Sequence, residues 1–333
     1  METVGAASDI STSAGQGKGH GKVILLGEHS VVYGRPAISA GLGRGCGARA
    51  ERGQPGAADT LSVDPWGVSV HAAQAETDPD RELLRRGFAV LCEALDTRWR
   101  DLGRALPRPS VRVHATMEIP GGAGLGGSAA LSVAVVRAID HVLDTPQDSE
   151  ALVAASIAWE RVFHGNPSGV DSAMAVHGGL ARYVRGQPLM HVRGGKPLQL
   201  VVGNSGEHGS TKSTVASVAR QHARDPVKTE QIFDAVASLV NNAQSALEAG
   251  EHSRLGQLMD LNQKLLNSLL LSTTKLEEMC LIARGAGALG AKLTGGGGGG
   301  CMIALAADVT GSERIARALS DAGFAAFSVE VSS

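Results

Sequence analysis

Between positions 111 and 119, Val111, Val113, Ala115, Met117 and Ile119 are apolar and alternate with Arg112, His114, Thr116 and Glu118. A period of two belongs to a strand with one buried and one wetted face, as in antiparallel pairing, and it predicts a strand that runs up to Pro120. Residues 129–143 are apolar almost all round and predict a buried helix. A second helix is predicted over 149–163, with Ser149 as N-cap and Gly165 beyond its end. Nearer the N-terminus, 22–26 is a short apolar run closed by Gly27, and 60–63 and 68–71 flank the turn sequence Asp64-Pro65-Trp66-Gly67, which predicts a hairpin.

Downstream, a Gly/Pro/basic stretch at 185–197 reads as a connection between domains. A strand-like run at 198–202 then leads to three helical patterns, 229–249, 252–271 and 274–284. The chain closes with a strand (291–293), a glycine run, a strand (302–306), a helix (313–322) and a strand (324–331), an α+β ending. With 333 residues, two domains are expected, 17–190 and 191–333, after a disordered Ser/Gly/Ala-rich segment over 1–16.

Composition narrows the classes. Hydrophobic residues make up 43% of the chain, enough for a core in each domain, and the formal net charge of -2 offers no global attraction to nucleic acid or an anionic membrane. Cys46, Cys92, Cys280 and Cys301 are dispersed without CxxC pairs and are read as reduced core residues. No apolar run reaches the roughly 18 residues of a membrane span, and the first 16 positions lack the regions of a signal peptide, so a cytoplasmic protein is expected.

Candidate chemistry centres on Pro120-Gly121-Gly122-Ala123-Gly124-Leu125-Gly126-Gly127-Ser128-Ala129-Ala130, which lies between a predicted strand and a predicted helix. Glycines there let successive N–H groups face one concavity, and the helix N-terminus adds its own free N–H groups and positive dipole end; both suit a phosphate. The embedded G-x-G-x-x-G does not make a dinucleotide fingerprint, because the preceding strand alternates and ends in proline, and no G-x-x-x-x-G-K-[ST] sequence occurs. A plain glycine turn capped by Ser128 is the alternative. The six glycines of 295–300 have apolar flanks, Lys292-Leu293-Thr294 and Cys301-Met302-Ile303-Ala304, which favours a tight ligand-contacting hairpin over a linker.

Glu160 shares a helical stripe with Val153 and Ile157, so its carboxylate points where apolar groups point and calls for a divalent ion or a buried arginine. Asn166-Pro167-Ser168-Gly169 turns the chain, and Asp171 follows, either as a capping-box acid or as a site residue. Lys22 and the Glu28-His29 pair carry no function by themselves.

Together these segments resemble the GHMP kinase superfamily. Residues 21–34, Gly-Lys-Val-Ile-Leu-Leu-Gly-Glu-His-Ser-Val-Val-Tyr-Gly, look like its first motif, 120–130 like its second, and Lys292-Leu293-Thr294 with the glycines like its third. Glu160-Arg161 followed by His164-Gly165-Asn166-Pro167-Ser168-Gly169-Val170-Asp171 is similar to the mevalonate kinase family within it. The likeness covers most of the chain, with two departures: Gly127 stands for the first serine of the second motif, and Gly296 for the alanine of the third.

The resemblance implies a two-domain α+β fold, with an N-terminal mixed α/β domain bearing a left-handed-crossover-type nucleotide site and a C-terminal ferredoxin-like α+β domain. It also implies ATP and Mg²⁺ as cofactors and mevalonate as the small-molecule partner, phosphorylated on its primary hydroxyl; a homodimer is left open. By the same resemblance Pro120, Gly121, Gly122, Ala123, Gly124, Leu125, Gly126, Gly127, Ser128 and Ala129 hold the nucleotide, and Ser128 and Glu160 hold the metal. Asp171 accepts or orients the hydroxyl proton beside Lys22, and Glu28, His29, Thr211 and Gly296 join these two in contacting substrate. The rival readings are another kinase of the superfamily, acting on phosphomevalonate, a sugar or homoserine, and a nucleotide-binding protein without turnover. Loss of Lys22, Ser128, Glu160 or Asp171 would favour the latter, and all four are present.

Overall fold

A computed structural model describes residues 14–209 and 211–332. The chain begins with β1 (Gly15–Leu26), which pairs antiparallel with β2 (Ala37–Pro55). The predicted hairpin forms as β3 (Thr60–Asp64) and β4 (Val68–His71), and the alternating segment forms β5 (Pro109–Met117). β5 is antiparallel to β2, as its pattern implies, and also parallel to β3. That parallel pairing needs a crossover, supplied by helix α1 (Pro79–Asp101). Strands β6 (Leu180–Tyr183) and β7 (Met190–His191) complete a sheet of order β4-β3-β5-β2-β6-β7, with β1 also on β2.

Helices α2 (Gly127–Leu143), α3 (Ser149–His164) and α4 (Val170–His177) follow β5. The N-cap of α3 is Asp148, whose side chain accepts from Ala151 N at 2.8 Å, so Ser149 is the first helical residue rather than the cap. β1 reaches back to Gly15, into the segment expected to be disordered, and residues 1–13 lie outside those described. The stretch read as a connection holds β7 and the buried Val192, because Met190–His191 pairs with β6.

The second sheet contains β8 (Leu198–Asn204), β9 (Gly290–Leu293), β10 (Cys301–Ala306) and β11 (Ala325–Val331), all antiparallel, in the order β11-β8-β10-β9. With α9 (Val309–Asp321) between β10 and β11, this is the ferredoxin-like arrangement. Between β8 and β9 lie α5 (Thr211–Arg224), α6 (Pro226–Glu248), α7 (His252–Ser268) and α8 (Thr274–Gly285). The pattern predicted the last three; α1, α5 and the glycine-rich β2 carried no strong periodic signal. All four cysteines are buried free thiols. The two sheets meet where β11 approaches β2, with the Arg44 guanidinium 5.0 Å above the Phe327 ring.

How α2 sits on the first sheet follows from the sequence of β1. Gly15, Gly17 and Gly19 share one face of the strand, and the helix lays Ala138, Ala134 and Ala130 against them. A Cβ on Gly17 would stand 2.1 Å from the Ala134 carbonyl oxygen, and one on Gly19 would stand 2.0 Å from that of Ala130. Helix and strand backbones therefore touch, which only glycine on the strand allows. Replacing Gly17 with alanine is expected to force the helix off the sheet and lower stability by at least about 1–3 kcal/mol. The check is the denaturant midpoint followed by circular dichroism, with an unchanged midpoint counting against the close approach.

Candidate active site

The loop between β5 and α2 lies along a cavity of about 710 Å³ that reaches from the β3–β4 turn to the glycines of 295–296. Gly126 is the N-cap of α2 at φ 71°, a left-handed conformation that leaves the helix's first N–H groups facing the cavity end. Its missing side chain matters as well: a Cβ there would lie 3.0 Å from Lys22 Cγ. Lys22 crosses at this point. Its backbone N–H donates to Leu125 O at 2.8 Å, and its ammonium donates to Gly124 O at 3.2 Å. An irregularity in the β1–β2 register between His20 and Lys22 re-aims the strand there.

Asp171 stands in the first turn of α4, its Oδ1 2.9 Å from the Lys22 ammonium. The cap of α4 is Gly169, with no side-chain capping bond, so the spacing that resembled a capping box serves the ion pair instead. Tyr183 fixes the turn before it by donating its hydroxyl to Ser168 O at 2.6 Å.

Glu160 lies in the last turns of α3 and is 2% exposed. Its Oε2 is 3.5 Å from His164 Nε2, and its Oε1 has no hydrogen-bond partner. No buried arginine reaches it among the described residues. Burial first, and then the negative charge of Asp171, push its carboxyl up to about 7, against the opposing pull of the Ser128 hydroxyl and of Lys22. Ser128 Oγ accepts from the Trp159 indole N–H at 2.9 Å. A row of buried hydroxyls ties the three helices that carry these groups: Ser132 of α2 donates to Ser156 of α3 at 2.8 Å, which donates to Ser172 of α4 at 3.0 Å.

The glycine run is a connection inside the β9–β10 hairpin, not a linker. Gly298 N–H donates to Leu271 O at 2.7 Å and Gly300 N–H to Glu207 O at 2.8 Å, and a Cβ on Gly295 would lie 2.9 Å from Gly124 O. The two glycine segments pack on each other. His29, at φ 59°, donates from Nε2 to Gly296 O at 2.8 Å, and burial holds its imidazole below the usual histidine range.

The cavity thus gathers Lys22, His29, Glu160, Asp171, Gly296 and every residue from Pro120 to Ser128. Ala129 does not line it, being packed in the core behind the loop. Glu28 is turned away from it: the carboxylate is fully buried, paired with the Lys292 ammonium and accepting from Asn262 Nδ2 at 3.0 Å. Thr211 begins α5, but its side chain lies outside the described residues. Sequence reasoning did not single out Trp66, Phe163, His208 or Lys212, which also line the cavity. Trp66, a partly exposed aromatic at a turn, and the polar His208 and Lys212 close to Thr211 in sequence were the available signals.

Among the described residues there is no cluster of three or more His, Cys, Asp or Glu side chains placed to hold a metal ion. The buried, unpartnered Oε1 of Glu160 beside the Ser128 hydroxyl nevertheless fits a hard cation that takes oxygen ligands and keeps part of its water shell.

A glycine loop at a helix N-terminus, with a lysine–aspartate pair at its helix end and a second glycine hairpin packed against it, defines a small-molecule kinase without a Walker loop. Family models agree: GHMP kinases N terminal domain matches residues 85–179, and GHMP kinases C terminal matches residues 243–325. The mevalonate kinase of Thermococcus gammatolerans is 36% identical over 329 residues, covering 93% of this chain and 94% of its own. That of Pyrococcus horikoshii is 36% identical over 296 residues, 86% of each chain. Among solved structures, L. major mevalonate kinase in complex with R-mevalonate superposes with TM-score 0.78 at 30% identity, covering 98% of this chain and 99% of that one. The Methanococcus jannaschii mevalonate kinase, at 22% identity, shares the fold with TM-score 0.81 over 97% of this chain and 100% of its own. The chain belongs to the GHMP kinase family, in its mevalonate kinase branch.

The raised Glu160 carboxyl makes stability depend on pH. Below the unfolded value of 4.5 both states hold the proton and the contribution to stability is fully present; as pH rises through about 7, the folded chain must ionise a buried group and that contribution is lost. In metal-free protein kept in chelator, Glu160→Gln is therefore expected to match the parent near pH 4.5 and to exceed its stability by up to about 3 kcal/mol at pH 8. Parallel denaturant titrations check this, and a pH-independent difference would contradict the origin assigned here.

Proposed function

We propose that this enzyme transfers the γ-phosphoryl group of ATP to the primary hydroxyl of mevalonate, giving 5-phosphomevalonate and ADP. The observation that carries the reading is the Lys22–Asp171 ion pair, 2.9 Å long, at the helix end of the glycine loop. Phosphoryl transfer asks a protein for positioning and charge neutralisation more than for covalent chemistry. The loop from Gly121 to Gly127 and the first turn of α2 hold the triphosphate with backbone N–H groups.

Asp171, at the cavity wall, accepts or orients the proton of the acceptor hydroxyl, because its carboxylate is an acceptor-only group held in place by Lys22. Lys22 keeps its ammonium among Asp171, Gly124 O and the phosphate end of the loop, where it stabilises charge developing on the transferred group. Ser128 and Glu160 would hold a magnesium ion, which when bound supplies neutralising charge to the phosphates. His29 is held neutral and, with Gly296, faces the acceptor. Four buried free thiols go with a cytoplasmic location. No helix among the described residues is long and apolar enough to cross a membrane.

A coupled ADP-release assay with mevalonate, phosphomevalonate and galactose side by side tests the substrate, and preference for either of the last two would replace the reading. Asp171→Asn is expected to fold normally and to lose roughly 10²–10⁴-fold in kcat, the usual contribution of a positioned acid or base. Near-normal turnover of that variant would remove Asp171 from both roles. Glu160→Gln is expected to raise the magnesium concentration needed for half-maximal rate, and an unchanged magnesium titration would exclude Glu160 as a ligand.

A further inference from the structure

We infer that Glu28 and Lys292 form a positioning pair, buried between the two sheets, that sets the acceptor wall of the site without touching substrate; this rests on the mevalonate kinase reading above. Both side chains are 0% exposed, and neither lines the cavity. The Lys292 ammonium spends all three donors inside the protein, on Glu28 Oε1, on Leu293 O at 2.5 Å and on Ile24 O at 3.4 Å. The other Glu28 oxygen accepts from Asn262 Nδ2 at 3.0 Å. The pair therefore joins the end of β1, the loop after it, α7 and β9 at one point.

Both partners lead directly into the site. His29 follows Glu28, Gly296 lies four residues beyond Lys292, and the imidazole of the first donates to the carbonyl of the second at 2.8 Å on the cavity wall. Between them, Thr294 Oγ1 accepts from Ile24 N–H at 2.8 Å and donates to Ile24 O at 3.1 Å. Residues 28 with 292 and 29 with 296 thus form two rungs between the same two segments, one buried and ionic, the other open to the acceptor. His29 also holds φ 59° and ψ -46°, a conformation that a non-glycine residue keeps only where its neighbours fix it. A buried ion pair is a poor source of stability compared with apolar residues of the same volume, so its use here points to geometry.

The test measures kcat, mevalonate KM and ATP KM for Glu28→Gln, Lys292→Met, the double variant and Asn262→Leu, each with a thermal melt. The expectation is that every single variant raises mevalonate KM by on the order of tenfold, within the loss that a ~1 Å misplacement produces, while ATP KM changes less than about twofold. The double variant should be no worse than the poorer single one, because both act through one contact. Asn262→Leu loosens Glu28 from the side away from the cavity, and so covers the case in which Lys292→Met does not fold. If Glu28→Gln raises mevalonate KM while Lys292→Met or Asn262→Leu leaves it alone, Glu28 contacts substrate directly and the inference fails. It fails equally if melting points fall while both KM values stay at the parent's. Should the parent turn over a different acceptor, the functional reading falls by itself, and the same comparison is made with that acceptor's KM.

Discussion

The site depends first on a contact between two backbones. Because Gly15, Gly17 and Gly19 present no side chains, α2 lies directly on β1, and its small residues Ala130, Ala134 and Ala138 meet the strand's main chain. Interiors pack at crystal-like density and transmit displacement, so this contact fixes where the N-terminus of α2 ends up. Gly126, Ser128 and the free N–H groups of the first turn follow from it. Lys22, further along the same strand, reaches the loop that the helix closes, since its own N–H is bonded to Leu125 O. One strand thus supplies both the floor under the helix and the cation at its tip.

A second constraint is electrostatic. Three groups of the candidate site, Ser128, Glu160 and Asp171, come from three successive helices, and the Ser132–Ser156–Ser172 row joins those helices through uncharged hydrogen bonds. Around that neutral frame stand two carboxylates, Glu160 and Asp171, and one lysine; the charge of Asp171 adds to what burial already costs Glu160 on ionisation. Asp171 takes the lysine and faces the cavity; Glu160 is left buried with an oxygen to spare. On the proposed reading, the asymmetry separates their chemistry: Asp171 toward the acceptor hydroxyl, and Glu160 as a carboxylate that a hard cation would complete.

Much of this was legible along the chain because it is local. The alternation of β5, the apolar round of α2 and the strand–glycine–strand hairpin near the C-terminus each depend on neighbours within a few residues. Helix α1, strand β2 and helix α5 were not legible, because β2 is rich in glycine and takes its strand form from partners on both edges. Glu28 shows the limit most clearly. Its place beside His29 in a motif suggests a substrate contact, but Lys292, distant in sequence, turns it inward.

The sequence by itself determined the local chemistry: a glycine loop between strand and helix, a carboxylate on an apolar helical stripe, an aspartate after a tight turn, and free thiols dispersed in apolar surroundings. Periodicity, backbone freedom and side-chain polarity are properties of short stretches, and they act wherever those stretches are placed. Only the tertiary structure decided which groups meet. It paired Lys22 with Asp171 across the chain, left Glu160 without an arginine, turned Glu28 away from the cavity and brought Trp66, His208 and Lys212 to its walls. Those outcomes depend on which segments pack together, and that is fixed by long-range contacts such as the glycine face of β1 under α2.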